Sequence, residues 1–227
     1  MRLSVDCTMI DWIYNIKNVI FDLGGVVIDL DRDRAVKALE NLGLEGADEM
    51  LGLYGQEEPF LGLETGETPA GEFFDIMRSR MKPGVSDKDI TTAFNEFLVD
   101  LPVKRLEMLR RMRMAGYRIF MLSNTNPVMF NSWIDRAFRQ EGGTVNDYFD
   151  GVVVSFEELM CKPDVKIFET LMRRYGLNPS ETLMLDDSDK NCRAAAEAGA
   201  HAFKIGKSEN DDMMAICGAL LEAAANR

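Results

Sequence analysis

The stretch Asn18-Val-Ile-Phe-Asp-Leu-Gly-Gly25 decides the fold. Its apolar run holds one acid, Asp22, and stops at a glycine pair, which reads as a buried strand ending in a tight turn. Similar runs recur at 118–122, 151–154, 182–185 and 201–205. Continuous rather than alternating apolarity predicts strands covered on both faces, as in a parallel sheet. Helical stretches separate them. Residues 103–115 set Leu106, Leu109 and Met112 apart from Arg110, Arg111 and Arg113, which read as a solvated face, and 164–175 carries Ile167, Phe168, Leu171 and Met172 as one stripe. Gly116 and Gly176 stand where helix C-caps belong. Strands alternating with helices predict an α/β class, a doubly wound parallel-sheet core.

Residues 32–100 interrupt this alternation and read as helices only. Val36, Leu39 and Leu42 share one side of a helix over 33–42. Thr68-Pro69 offers an N-cap followed by a proline at the first helical position, with Phe73, Met77 and Met81 at steps of four. Ser86 precedes a stripe of Ile90, Ala93, Phe94, Phe97 and Leu98, and Asp87 and Asp89 suit the first turn of that helix. The expected division is a core of 17–31 and 101–227, a helical insert of 32–100, and an extension of 1–16 in which Met9 is an alternative start.

The chain has 227 residues, 46% of them hydrophobic, so a globular domain buries roughly 70–75% of its unfolded surface without disulfide or metal staples. Its 26 basic and 38 acidic residues leave a net charge of −12, which argues against nucleic acid or an anionic membrane as partner. The single histidine, His201, rules out a zinc site built on two or three histidines, and it reads as the start of a strand. The four cysteines, Cys7, Cys161, Cys192 and Cys217, form no close pair and read as reduced thiols of a cytoplasmic protein. No run is long enough to span a bilayer, and Asp6 and Asp11 break up any signal-peptide core. The fifteen methionines read as core filler, while Trp12 and Trp133 fit either surface or packing roles.

In an open parallel sheet, ligands bind beyond the carboxyl ends of the strands. The first strand delivers Asp22 there. The second delivers Ser123, Asn124, Thr125 and Asn126, and the fourth delivers Asp186 and Asp187, with Asp189 close behind. Lys162 precedes Pro163 at the start of a helix. With strands one and four adjacent, three carboxylates meet, and they must protonate or share a cation. A hard, oxygen-loving Mg²⁺ suits the set, and Ser123 and Lys162 beside it suit a phosphoryl group. Each piece alone has an ordinary reading: Asp22 as a turn cap, Asp187 and Ser188 as helix caps, Ser123-Asn124 as a turn, and Lys162-Pro163 as the start of a helix. The order of the pieces is what is specific.

That order resembles the haloacid dehalogenase-like hydrolase superfamily, over nearly everything from residue 17 onward. Val19–Val27, Leu122–Asn126, Lys162–Asp164 and Leu185–Asn191 are similar to its four motifs. The resemblance implies a Rossmann-like core with an inserted all-helical cap. It implies a Mg²⁺-dependent phosphatase acting on a small phosphorylated metabolite, such as a sugar phosphate. Asp22 would be the nucleophile and a metal ligand, with Gly24 lending its carbonyl and Asp186 and Asp187 completing the metal site. Ser123, the Asn124 amide and Lys162 would hold the phosphoryl group. The short Asp-Leu-Gly-Gly-Val form also resembles the branch containing sugar-1-phosphate phosphatases.

One departure matters. Most phosphatases of this superfamily carry an acid/base aspartate two residues after the nucleophile, and here that position is Gly24. Such catalysis is typically worth about 10²–10⁴-fold. Asp29 or Asp31 reaching back is one expected remedy, and a substrate with a good leaving group is another. Two alternatives follow: a dehalogenase working through an ester on Asp22 without metal, or a catalytically weak phospho-ligand binding protein. Arg32, Arg34, Thr65 and Glu67 are the expected cap contacts to substrate, and the protein is expected as a monomer or small homo-oligomer.

Overall fold

The computed structural model describes residues 12–206 and 211–226. Met9 and Cys7 lie outside the described residues. Five parallel strands form the central sheet: β1 (Asn18–Phe21), β4 (Arg118–Ser123), β5 (Gly151–Val154), β6 (Thr182–Asp186) and β7 (His201–Lys204), in the order β5-β4-β1-β6-β7. β1 is central, with Phe21 opposite Met121 on one side and Leu185 on the other. The strand order reverses around β1, so the carboxyl ends of β4, β1 and β6 open onto one crevice.

The continuous apolarity of these strands now has a cause. Val19 and Phe21, Ile119 and Met121, and Leu183 and Leu185 face one hydrophobic cluster, while Ile20, Phe120, Leu122 and Met184 face a second. With a side-chain period of two and both faces covered, the middle positions of β1, β4 and β6 are all apolar. The second cluster is closed by Ile167, Phe168, Leu171 and Met172 of helix Val165–Tyr175, and the first by Leu106, Leu109 and Met112 of helix Val103–Met114. Gly116 and Gly176 follow these helices with φ of 89° and 63°, the left-handed geometry that glycine tolerates.

Between β1 and β4 lies the insert. Two short antiparallel strands, β2 (Asp29–Leu30) and β3 (Leu98–Asp100), tie its ends together. The expectation of helices alone is corrected here: the Ser86 helix stops at Asn95, and Leu98 belongs to a strand. The insert's five helices are α1 (Arg32–Asn41), α2 (Ala47–Met50), α3 (Phe60–Thr65), α4 (Ala70–Ser79) and α5 (Asp87–Asn95). Phe60, Phe73 and Phe94 bring α3, α4 and α5 together, with ring centroids 5.0–6.0 Å apart. At the start of α5, Ser86 Oγ accepts from Asp89 N while Asp89 Oδ2 accepts from Ser86 N, a reciprocal cap beyond the expected dipole effect. Helix α4 begins one residue later than expected, because Pro69 occupies the cap position itself. Thr68 is drawn instead onto the backbone of Gly62 at 2.9 Å. Met81 lies past the end of α4 but still packs on the core.

Ahead of β1, Ile13 and Ile16 are buried, and the Trp12 ring stacks on His201 of edge strand β7 at 4.6 Å. Trp12 is thus a packing anchor, and Trp133 also packs partly buried against the core. Arg110 stacks over Tyr148 at 4.9 Å and Arg113 pairs with Asp150 at 2.9 Å, whereas Arg111 is exposed. Among the described residues no helix is long and apolar enough to cross a membrane.

Removing the Phe73 ring is expected to destabilise the protein by about 3–5 kcal/mol, because three helices close on it. Urea denaturation of Phe73→Ala against Arg111→Ala checks this. The exposed arginine is expected to shift stability by no more than about 0.5 kcal/mol.

Candidate active site

The pairing of β1 with β6 sets the site. Beyond the aligned Phe21 and Leu185, the next residues are Asp22 and Asp186, and Asp22 N donates to Leu185 O at 2.9 Å. Asp187 follows, and the three carboxyl groups each place an oxygen within 4.8 Å of the others. Lys162 enters between them. Its Nζ lies 2.8 Å from Asp22 Oδ1 and 2.7 Å from Asp186 Oδ2, with its side chain 1% exposed. Asp186 also accepts from Ser188 N and Asn191 Nδ2, both at 2.9 Å, and Asp22 accepts from Leu23 N at 2.6 Å.

Three carboxylates facing one ammonium leave two negative charges in excess, which one divalent cation neutralises. Burial pushes Asp22 well above the usual carboxylate range, Lys162 opposes that rise, and Asp186 and then Asp187 reinforce it. Burial works against the charge on Lys162, but Asp186 and Asp22 outweigh it and hold its pKa above the usual lysine value. The site therefore keeps its lysine charged and asks for a cation to hold all three acids ionised. Clustered carboxylate oxygens are the donors a hard ion such as Mg²⁺ selects.

Backbone geometry guards this arrangement. Gly25 has φ +75°, and a Cβ there would stand 2.3 Å from Asp187 Oδ2. A Cβ on Gly24 would meet Leu30 Cδ1 at 2.9 Å, so the Leu30 side chain of β2 crowds the position two residues after Asp22. Asn124 clamps Lys162: its Nδ2 donates to Lys162 O at 2.9 Å and its Oδ1 accepts from Lys162 N at 2.8 Å. Ser123 ends β4 with its side chain in the same cavity. Asn126 Oδ1 instead caps the following helix by accepting from Met129 N at 3.0 Å, and Thr125 N donates to Ser155 Oγ at 3.1 Å.

The cavity over these groups measures about 110 Å³. Asp22, Gly24, Ser123, Asn124, Lys162 and Asp187 form its floor, while Leu30, Leu53, Phe94 and Phe97 wall it. Tyr54, Gln56 and Glu64 bring the insert's polar groups to it, and the sequence reading missed all three. Tyr54 Oη donates to Asp187 Oδ2 at 3.3 Å. Tyr54 and Gln56 sit in an irregular loop that no periodicity marks, and Glu64 sits on a helix of six residues, too short to show a stripe. The expected cap contacts are corrected. Arg32 binds Leu51 O and Asp48, Arg34 pairs with Glu96, Thr65 Oγ1 donates to Gly62 O, and Glu67 is exposed; none lines the cavity. Asp29 is likewise not brought to Asp22. It faces the neighbouring cleft, where Arg105 holds it at 2.7 Å.

A family model described as haloacid dehalogenase-like hydrolase matches residues 16–199. A D-ribitol-5-phosphate phosphatase of Bacteroides thetaiotaomicron is 34% identical over 189 residues, covering 83% of this chain and 91% of its own. A crystal structure of a HAD family enzyme from Bacteroides thetaiotaomicron, in complex with magnesium and inorganic phosphate, superposes with TM-score 0.79 at 37% identity, covering 86% of this chain and 96% of that one. A predicted HAD-like family hydrolase from Porphyromonas gingivalis has TM-score 0.81 and 31% identity, with 90% and 98% coverage.

Removing the ammonium while leaving the acids buried is expected to cost about 3–5 kcal/mol. Urea denaturation of Lys162→Met in EDTA checks this. Gly25→Ala is expected to weaken Mg²⁺ binding at least tenfold through its collision with Asp187, as read by calorimetric titration; unchanged affinity would contradict the close approach.

Proposed function

The chain belongs to the haloacid dehalogenase-like hydrolase family, and within it we propose a magnesium-dependent phosphoric monoester hydrolase that cleaves a small sugar or polyol phosphate through an aspartyl-phosphate on Asp22. The observation that carries this reading is the buried Lys162 bridging Asp22 and Asp186, with Asp187 and Ser123 on the same cavity floor. Asp22, Asp186, Asp187 and the Gly24 carbonyl would hold the metal. When bound, Mg²⁺ supplies positive charge for the phosphoryl oxygens as negative charge shifts in the transition state. Ser123 Oγ, the Asn124 backbone N–H and Lys162 hold the same phosphoryl group. Lys162, clamped by Asn124, also orients Asp22 for in-line attack. The walls supplied by the insert exclude bulk water while the phosphoenzyme forms.

The cavity's polar groups favour a hydroxylated substrate. Gln56 Nε2 donates to Gly52 O at 3.0 Å, which fixes the amide orientation and leaves Oε1 buried without a partner. A buried acceptor left unpaired costs about 1–3 kcal/mol, which a substrate hydroxyl recovers. The phosphatase relative named above acts, by its name, on a polyol phosphate. The dehalogenase alternative gives no role to Asp186 and Asp187 as a cation site, and the binding-protein alternative rests on Gly24 alone. The thiols of Cys161, Cys192 and Cys217 are free, which fits an enzyme of the reducing cytoplasm.

A panel of sugar and polyol phosphates that includes D-ribitol 5-phosphate, together with p-nitrophenyl phosphate, tests the reading. Turnover is expected with Mg²⁺, and both EDTA and Asp22→Asn are expected to lower it on the order of 10³-fold or more. Hydrolysis that survives both treatments would sink the proposal.

A further inference from the structure

We propose that Glu64 of the insert is the proton donor and acceptor of the reaction, in place of a side chain at Gly24. This assignment rests on the phosphatase reading and adds a catalytic residue to it. Phe60 and Glu64 lie one helical turn apart on α3 and both line the cavity that holds Asp22, Ser123 and Lys162. The backbone of Glu64 is fastened to the phosphate-binding loop through a single hydroxyl. Ser155 Oγ lies 2.7 Å from Glu64 O and 3.1 Å from Thr125 N, two residues beyond Ser123. The end of α3 is docked equally closely: Gly66, at φ +77°, leaves no room for a Cβ, which would stand 2.2 Å from Phe156 O.

The carboxyl group itself is free to act, because no hydrogen bond or ion pair among the described residues engages it. Asp31 caps α1, accepting from Arg34 N. Leu30 crowds the Gly24 position, and Asp29 is held by Arg105. Lys162 and Cys161 face Glu64 from the segment before helix Val165–Tyr175, and Asp22, Asp187 and Tyr54 share the cavity with it. On the short helix Ser155–Glu158, Glu158 is drawn off by Arg174 and Glu157 is exposed. On α4, Glu72 and Asp75 are exposed; beside Glu64 in sequence, Glu58 bonds Gly62 N and Glu67 is exposed. Burial pushes Glu64 up to about 7, with Lys162 opposing, so near neutral pH both protonation states are available.

The proton balance closes. Asp22 attacks phosphorus, the bond to the leaving oxygen breaks, and the Glu64 proton goes to that oxygen to release the alcohol. The Glu64 carboxylate then takes a proton from water as the oxygen attacks phosphorus. The bond to Asp22 breaks, phosphate leaves, and both side chains return to their starting states.

The test compares phenyl phosphate with p-nitrophenyl phosphate, which are close in shape but differ in leaving-group basicity. At saturating Mg²⁺, Glu64→Gln is expected to lower kcat/KM on phenyl phosphate by about 10²–10⁴-fold, and far less on p-nitrophenyl phosphate. With p-nitrophenyl phosphate it is expected to give a burst of one p-nitrophenol per enzyme, because water attack on the phosphoenzyme has lost its base. The fall of wild-type kcat/KM above about pH 7 is expected to vanish in Glu64→Gln, and Glu64→Asp to restore part of the rate. Circular dichroism and urea denaturation check that the variants fold. Equal losses on both substrates with the pH limb retained, or a raised KM at unchanged kcat, would overturn the assignment alone. Turnover that does not depend on Asp22 would overturn the phosphatase reading, and the assignment with it.

Discussion

One buried ammonium, Lys162 Nζ, is shared by Asp22 and Asp186 at 2.8 and 2.7 Å, and the rest of the site is arranged around that pairing. Neither acid can be buried alone without a large desolvation penalty. The parallel register of β1 and β6 forces them together, because Phe21 opposite Leu185 makes Asp22 and Asp186 the next residues on neighbouring strands. The lysine reaches them from the far side of β4, and the double hydrogen bond from Asn124 to its backbone sets that reach. Asp187 brings a third carboxyl group, and the glycine at 25 lets it approach.

This explains how a chain of net charge −12 receives an anionic substrate. Long-range charge is not what the phosphoryl group meets. Inside the cavity it would meet, in the proposed reaction, Lys162, the Ser123 hydroxyl and, with the divalent ion held, a locally balanced site. The single histidine, His201, sits on an edge strand stacked on Trp12. In the proposed reaction the nucleophile and the metal site would stand on the sheet, while proton transfer and contacts to substrate hydroxyls would fall to the helical insert, whose Glu64 and Gln56 line the same cavity.

The floor of the site was legible in the sequence and its roof was not. Strands β1, β4 and β6 announce themselves by continuous apolar runs, because both faces are covered, and their carboxyl ends lead to Asp22, Ser123, Asp186 and Asp187. The roof comes from a loop and one short helix, where Tyr54, Gln56 and Glu64 follow no period. Charged residues on the longer insert helices stand out in the sequence, but the structure occupies them elsewhere: Arg32 with Asp48 and Arg34 with Glu96. Asp29 looked close to Asp22 along the chain, but Arg105, from a helix more than seventy positions later, holds it in the adjoining cleft. Leu30 fills against Gly24, a contact visible only once β2 is placed.

The proposed reaction attaches phosphorus covalently to Asp22. The most direct measurement is rapid acid quench of the enzyme during turnover of p-nitrophenyl phosphate, borohydride reduction, and peptide mass spectrometry. Reduction converts an aspartyl-phosphate to homoserine, so that conversion is expected at residue 22 alone, dependent on Mg²⁺. Homoserine at another aspartate, or none while product accumulates, would contradict it.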